Sequence, residues 1–298
     1  MKPLQGKIAV VTGASRGAGR GIAFQLGSAG ATVYVTGRSV KGAATDNRPE
    51  TIEETAEGVT LRGGKGIAVR CDHTSEDDVR NLFEQIENEH GRIDILVNSV
   101  FGGSESSLPS GDGRYFWERP PEHWNAMMVA GPQAYLLTTR YAVPLMVQHH
   151  KGLIVNITFF IKEKILGNLY YDLAMNAINR MTMGMAKELK DYNVSAVAVC
   201  PGWMRTERVI DSGFGPEDGT TETTAYVGRA VVALASDTAV SKYSGNTMMV
   251  AELARKFNFT DVDGSTFAFR RIIKLPDEGC KNRSFVKQKI NCERSHIN

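Results

Sequence analysis

The chain has 298 residues, enough for one large α/β domain or two small ones with a sizeable buried core. Its 42% hydrophobic and 23% charged residues are ordinary for a soluble globular protein, and its net charge of +2 gives no reason to expect nucleic acid as a partner. No stretch of about 18 apolar residues occurs, so the sequence predicts no membrane span and a cytoplasmic location.

Seven short apolar runs predict β-strands. Most are continuous rather than alternating, which is typical of strands buried on both faces of a parallel sheet. Helical patterns lie between them, so we expect right-handed crossovers and a doubly wound α/β fold with a mostly parallel, seven-stranded sheet. The predicted strands cover residues 8–12, 32–36, 67–71, 93–98, 153–158, 194–200 and 247–250.

Three local signals predict where helices begin or which face they bury. Ser75 and Asp78 have the spacing of a capping box, and Pro49 can take the first position of another helix. A third helix follows Tyr171, where apolar residues recur at helical spacing. That apolar stripe consists of Ala174, Ala177, Ile178, Met181, Met185 and Leu189.

Two segments do not follow this alternation. Residues 99–124 are rich in Gly, Ser and Pro, and this loop is too long for a plain connection. Residues 276–298 are basic and lose the periodicity, so we expect a disordered tail after a single domain at residues 1–275. The four cysteines include no C-x-x-C pair, and no metal site is expected.

A glycine motif joins the first predicted strand to the first helix. Gly13, Gly17 and Gly19 let the backbone turn sharply and approach a pyrophosphate, while the helix N-terminus offers free N–H groups. The motif heads a strand–helix–strand unit, which makes it more specific than glycines alone. The sequence therefore predicts a nucleotide-binding loop near residues 12–22.

The pattern T-G-x-x-x-G-x-G that Thr12 begins resembles the short-chain dehydrogenase/reductase family, over residues 6 to 250. Asp72 and Asn98 end the third and fourth strands, where that family has an acid and an N-N-A-G segment, although only the first Asn of the latter is present. Pro201-Gly202 matches a further family segment. The segments RGIA, ATVYVTGR, GLIVNI and LARKFNFTDVDG are most similar to one branch of that family. The resemblance implies a Rossmann fold, a small carbonyl or alcohol substrate and a homo-oligomer.

The end of the second strand indicates which dinucleotide binds. It reads Thr36-Gly37-Arg38, without the acid that holds the ribose 2′-hydroxyl in NAD-binding proteins. Arg38 and Arg16 could both reach a 2′-phosphate, unless they are solvated surface residues. We therefore expect NADP(H) rather than NAD(H). The predicted cofactor-binding residues are Thr12, Gly13, Ser15, Arg16, Gly17, Gly19, Arg38, Asp72, Asn98, Pro201, Gly202 and Thr206.

The family resemblance also implies a catalytic helix, and here one residue of its pattern is missing. The family carries Tyr-x-x-x-Lys with an upstream Ser; this chain has Tyr171 and, four positions later, Met175. Thr158 is the best match for the hydroxyl, and no relay Asn occurs near Gly131. Lys162 or Lys164 could supply a cation from another direction, or could point to solvent.

These residues leave two functions open. Carbonyl reduction needs a neutral tyrosine as acid, which survives loss of the lysine, whereas alcohol oxidation needs a tyrosinate. One hypothesis is an NADP(H)-dependent reductase of a neutral, apolar aldehyde or ketone, with Tyr171 as proton donor. The alternative is a cofactor-binding protein with little turnover, in which Met175 simply fills apolar space.

The sequence signals for the substrate-binding residues are less specific than those for the cofactor-binding residues. Residues 203–225 are similar to the family's mobile cover over the substrate. Several apolar side chains could line a pocket there, or could equally pack in the core or against a subunit. They are Phe101, Phe160, Trp203, Met204 and the cluster at residues 115–117.

Overall fold

The computed structural model describes residues 2–102, 114–159, 165, 168–212 and 221–267. Phe160, Lys162, Lys164, the middle of the 99–124 loop and the basic tail at 276–298 lie outside the described residues.

A seven-stranded sheet forms the centre of the fold, in the order β3-β2-β1-β4-β5-β6-β9 with every neighbouring pair parallel. The prediction of a doubly wound Rossmann sheet is confirmed. The chain order reverses between β1 and β4, which opens a crevice at the carboxyl ends of these strands. The strands are β1 Ile8–Val11, β2 Thr32–Gly37, β3 Lys65–Arg70, β4 Ile95–Asn98, β5 Gly152–Ile157, β6 Val194–Cys200 and β9 Thr247–Met249; β7 Met204–Arg205 and β8 Glu222–Thr223 form a separate parallel pair.

Helices cover both faces of the sheet. One buried cluster joins it to α1, α2, α8 and α9, and a second joins it to α3, α5 and α6. None of the helices in the described part of the chain is long and apolar enough to cross a membrane. The helices are α1 Gly17–Ser28, α2 Ile52–Leu61, α3 Glu76–His90, α4 Glu122–Trp124, α5 Ala134–Val147, α6 Leu169–Leu189, α7 Glu207–Ser212, α8 Thr224–Ser236 and α9 Val250–Phe257.

The helix starts show which local signals were sufficient. The Ser75 hydroxyl accepts the N–H of Asp78 at 3.3 Å, and α3 begins at Glu76 as the capping signal predicts. The prediction that Pro49 begins a helix is wrong. Helix α2 begins at Ile52, because Thr51 and Glu54 form a reciprocal capping box that satisfies the first N–H groups.

The chain is kinked just before α5. A π-helical stretch at Asn125–Gln133 contains non-helical backbone angles at Ala130 and Gly131, and Pro132 follows without an N–H group. This is where the family resemblance would place a relay asparagine. Here the kink brings Ala130 to the wall of the crevice instead.

Candidate active site

A cleft with a cavity volume of about 430 Å³ opens at the carboxyl ends of the central strands. The glycine motif lies at one end and helix α6 at the other, so the structure joins the two regions that the sequence singled out. The predicted site residues that line it are Gly13, Ser15, Arg16, Gly17, Gly19, Arg38, Asp72, Thr158, Tyr171, Met175, Pro201, Gly202 and Thr206.

The glycine turn fits the phosphates of a dinucleotide. Gly13 has a φ of +61°, and a Cβ there would lie 2.8 Å from the carbonyl oxygen of Ser99. A Cβ on Gly19 would lie 2.4 Å from the carbonyl oxygen of Gly13, closer than any side chain allows. The turn therefore requires glycine, and it directs the N-terminus of α1 into the cleft, where an anion is favoured.

A carboxylate of the chain itself lies at this N-terminus. The Gly17 N–H donates to the carboxylate of Glu207 at 2.8 Å. Glu207 is the first residue of α7 and comes directly after Thr206, so the cover segment reaches across the cleft to the glycine turn. The contact shows that this N–H donates to an anion, and a bound pyrophosphate would compete with the Glu207 carboxylate for it.

Arg16 is part of the cleft rather than a solvated surface residue. Its guanidinium donates to the hydroxyl of Ser39 at 2.8 Å and to the carbonyl oxygen of Thr45 at 3.1 Å. It also lies 3.9 Å from the Asp46 carboxylate and 3.7 Å from that of Glu50. Burial lowers the pKa of Arg16, although these carboxylates oppose the shift. The side chain is thereby held in the cleft, beside the loop between β2 and α2.

The loop between β2 and α2 supplies cleft residues that the sequence did not indicate. Thr45, Asp46 and Arg48 all line the cleft. Arg48 pairs with Asp211 of α7 at 2.7 Å, and Arg208 of α7 lies 3.5 Å from Asp46. With the Glu207 contact, these two ion pairs join α7 to the glycine turn and to the loop between β2 and α2.

Two predicted cofactor residues lie below the cleft and do not line it. The Thr12 hydroxyl accepts the N–H of Ser99 at 2.9 Å and so ties the end of β1 to the end of β4. Asn98 is fully buried and donates to Asn156 of β5 at 2.9 Å and to Thr139 of α5 at 3.0 Å, between the sheet and this helix. Their side chains support the strand ends that carry the cleft, because the pleat turns them inward.

The end of β3 places one acid and one buried histidine at the cleft. The Asp72 carboxylate accepts hydrogen bonds from the N–H of Thr74 at 2.9 Å and from its hydroxyl at 2.7 Å. Burial alone would raise the pKa of this carboxyl, but the two bonds and the charge of Arg38 outweigh burial and lower it. His73, which the sequence analysis missed, lies between the hydroxyls of Thr36 at 2.8 Å and Thr138 at 3.0 Å. Burial lowers the pKa of His73 to about 4, so it is neutral at physiological pH.

Tyr171 lies in the first turn of α6 at the apolar end of the cleft. Its N–H donates to the capping side chain of Asn168 at 3.0 Å, which fixes the start of the helix. The rings of Phe101 and Phe159 pack around it at 6.0 and 6.3 Å between centroids. Burial raises the pKa of the Tyr171 hydroxyl well above its usual range, and Cys200 and Asp172 add to the shift.

Thr158 and Met175 meet beneath Tyr171. The Thr158 hydroxyl donates to the main-chain carbonyl of Met175 at 3.1 Å, and the Met175 sulfur lies 4.0 Å from the same hydroxyl. Met175 is 7% exposed and packs in the small apolar cluster that contains Ala174 and Ile178. Met175 therefore packs as an apolar side chain where the family carries a lysine.

The aromatic residues named from the sequence divide into two groups. Phe101, Trp203 and Met204 line the cleft, and Phe159, which the sequence did not indicate, lines it as well. The residues at 115–117 do not line it. Trp117 stacks on Tyr115 at 4.4 Å and is 65% exposed. This cluster lies outside the cleft and outside the core.

Comparison with known proteins decides the family. A family model described as short chain dehydrogenase matches residues 7–213. The chain belongs to the short-chain dehydrogenase family. Dehydrogenase/reductase SDR family member 1 of Mus musculus is 35% identical over 276 residues, covering 88% of this chain and 85% of the relative. That similarity confirms the branch to which the four sequence segments pointed.

Solved structures of short-chain dehydrogenases share the fold. A short chain dehydrogenase from Mycobacterium thermoresistibile superposes with a TM-score of 0.75 at 21% identity, covering 87% of this chain and 90% of the other. A metagenomic short-chain oxidoreductase in complex with NADP has a TM-score of 0.66 at 24% identity, covering 83% and 97%.

Proposed function

We propose that this short-chain dehydrogenase is an NADP(H)-dependent enzyme that reduces the carbonyl group of a neutral, apolar aldehyde or ketone. The observation that carries the proposal is the position of Tyr171, at the apolar end of a cleft whose other end is the glycine turn. Its raised pKa keeps the hydroxyl protonated at neutral pH, as a proton donor to a carbonyl oxygen must be.

The half of the cleft that contains the glycine turn is lined by cationic side chains that could bind a 2′-phosphate. Arg16, Arg38 and Arg48 line it, and guanidinium groups match phosphate geometry. No carboxylate ends β2, where an NAD-binding protein would hold the ribose. The NADP complex of the metagenomic relative is in keeping with this choice. Gly13, Gly17 and Gly19 would receive the pyrophosphate, and Pro201, Gly202 and Thr206 the nicotinamide half.

In the reduction, each residue at the apolar end has one task. The chemistry supplied by bound NADPH is a hydride from the nicotinamide ring. Tyr171 donates its hydroxyl proton to the carbonyl oxygen that becomes the alcohol, and a proton from water restores the tyrosine hydroxyl, whose neutral form burial favours. Thr158 holds the end of β5 against α6 through the Met175 carbonyl, and this bond fixes Tyr171 relative to the substrate. Phe101, Phe159 and Trp203 exclude water around the carbonyl.

The missing lysine favours one direction of reaction. Alcohol oxidation requires Tyr171 as a tyrosinate, and burial disfavours that anion. Within the described residues, the groups that raise the Tyr171 pKa besides burial are Cys200 and Asp172, and neither carries a positive charge. We therefore expect reduction to be much faster than oxidation at pH 7. Initial rates in both directions test this: equal rates at pH 7 would contradict the proposal.

A second candidate function is cofactor binding with little turnover. Met175 at the lysine position favours it, and so does the Thr158 hydroxyl, whose proton is directed to the helix backbone rather than into the cleft. This function predicts that NADPH binds while no carbonyl compound causes its consumption.

We further propose one domain at residues 1–275 that assembles as a homo-oligomer in the cytoplasm. Exposed apolar side chains on α5 and α6 support the assembly, because they would be covered between subunits. They are Leu136, Leu169, Leu173 and Met183. Sedimentation velocity tests it: a monomer at micromolar concentration would contradict the oligomer.

A further inference from the structure

A buried carboxylate supports the backbone at the nicotinamide end of the cleft. Glu222 is 3% exposed and accepts the N–H of Gly202 at 2.8 Å. A Cβ on Gly202 would lie 2.6 Å from the Glu222 carboxylate, so the close approach depends on glycine at this position. Gly202 lines the cleft but Glu222 does not, which means that the carboxylate acts on the cleft from behind its wall.

The backbone at Glu222 and Thr223 is itself held from two sides. Its own N–H donates to the Trp203 carbonyl at 2.7 Å, where β8 pairs with β7. The next residue, Thr223, donates its N–H to Asp261 at 2.7 Å and its hydroxyl to the same carboxylate. Arg229 of α8 donates to the Asp261 carbonyl at 3.0 Å. A chain of hydrogen bonds thus runs from the segment after α9 to Gly202, and its residues from Glu222 onward lie beyond residues 7–213, the span that the family model matches.

We propose that Glu222 is a positioning residue for the nicotinamide end of the cleft. By binding the Gly202 N–H, it fixes the backbone of residues 201–204 beside Tyr171 and so sets how well the nicotinamide half of the cofactor is held. The inference rests on the proposed function, since it assumes that this end receives the nicotinamide.

The bond from Gly202 depends on the ionisation of Glu222. Burial, with a smaller contribution from the nearby Asp261, raises the pKa of this carboxyl to about 7, against the opposing effect of the Gly202 N–H. The titratable groups of the described residues that face it are Asp261 and, from α8, Tyr226. A carboxylate accepts a stronger hydrogen bond than a neutral carboxyl group. Gly202 is therefore held more firmly at pH 8 than at pH 6.

Binding of two probes without turnover tests the proposal. NADPH spans the whole cleft, whereas 2′,5′-ADP reaches only its adenosine half. In the parent, we expect NADPH to bind several-fold more tightly at pH 8 than at pH 6 relative to 2′,5′-ADP. E222A should weaken NADPH binding about tenfold at pH 8 and leave 2′,5′-ADP unchanged. E222Q keeps an acceptor oxygen for the Gly202 N–H but has no ionisable group at this position. It should therefore bind NADPH nearly as tightly as the parent does, with the same affinity relative to 2′,5′-ADP at pH 6 and pH 8.

Controls separate the possible failures. E188Q makes the same change on the exposed face of α6 and should bind both probes as the parent does. If E222A does not fold, the pH profile of E222Q still decides the matter. A parent-like pH profile in E222Q, or equal loss of both probes in folded E222A, would overturn the positioning role alone. A parent that binds 2′,5′-ADP but shows no NADPH binding at either pH would overturn the proposed function together with it.

Discussion

The carboxylate of Glu207 offers a direct test of how the glycine turn binds its cofactor. It accepts the Gly17 N–H at 2.8 Å, at the N-terminus of α1. A pyrophosphate bound by the same turn must displace this carboxylate, because two anions cannot share one donor at a partly buried site. Glu207→Gln should therefore tighten cofactor binding.

The magnitude follows from the hydrogen bond that must be broken. A hydrogen bond to a charged group contributes about 1.5–3 kcal/mol net and a neutral one about 0.5–1.5 kcal/mol. The glutamine can keep the neutral bond, so the substitution removes about 1 kcal/mol of competition. That corresponds to roughly fivefold tighter binding of NADPH. The free protein should lose about 0.3–1 kcal/mol of stability, because an anion leaves the helix N-terminus.

The assay is a fluorescence titration of NADPH against parent and variant at low and high salt. The matched control is Glu53→Gln, since the Glu53 carboxylate also accepts a backbone N–H, that of Lys41 at 3.1 Å, outside the cleft. The control should not change the affinity, and high salt should shrink the effect of Glu207→Gln. Unchanged or weaker NADPH binding by Glu207→Gln would mean that this carboxylate does not compete with the cofactor for the Gly17 N–H.

Three further substitutions test other parts of the site. Arg38→Ala should weaken NADPH binding about tenfold or more while leaving NADH binding unchanged, because only NADPH carries the 2′-phosphate. If the parent binds NADPH and NADH equally tightly and the variant does the same, Arg38 does not bind the 2′-phosphate. Gly19→Ala should abolish NADPH binding in a protein of normal circular dichroism, since its Cβ would lie 2.4 Å from the Gly13 carbonyl oxygen. Asn98→Ala should lower the free energy of unfolding by about 1–3 kcal/mol in urea titrations, because it leaves Asn156 without its donor; a loss of cofactor affinity without loss of stability would instead indicate direct contact.

The sheet was predictable because its signal is local. Strands buried on both faces read as continuous apolar runs, and the observed bounds of β1, β4 and β6 differ from the predicted ones by no more than two residues. Helix starts were less certain. The Pro49 signal failed because the capping box of Thr51 and Glu54, two residues further on, satisfies more N–H groups than a proline can.

Site residues could be predicted only where a single segment of the sequence contains a complete motif. The glycine turn and the helix of Tyr171 meet in one cleft, as expected. Arg48, Glu207 and Glu222 were not predicted because their contacts depend on distant groups, which are the Asp211 carboxylate, the Gly17 N–H and the Gly202 N–H. No residue spacing within 40–50 or 203–225 indicates which distant groups these side chains contact. Asn98 was misplaced for a related reason, since the pleat at the strand end decides whether its side chain faces the cleft or the interior.

The most direct test of a reductase that works without its lysine is NADPH consumption across a panel of apolar aldehydes and ketones. The assay compares four proteins at pH 7: the parent, Tyr171→Phe, Met175→Lys and Tyr170→Phe. The last is the control, because the Tyr170 hydroxyl of the parent donates to the Phe116 carbonyl outside the cleft. The account predicts turnover by the parent and by Tyr170→Phe, and its loss in Tyr171→Phe. Met175→Lys should gain oxidation activity, by up to tenfold for each unit by which it lowers the tyrosine pKa. Turnover by Met175→Lys alone would contradict the account and would mean that the chain binds the cofactor without performing the reaction.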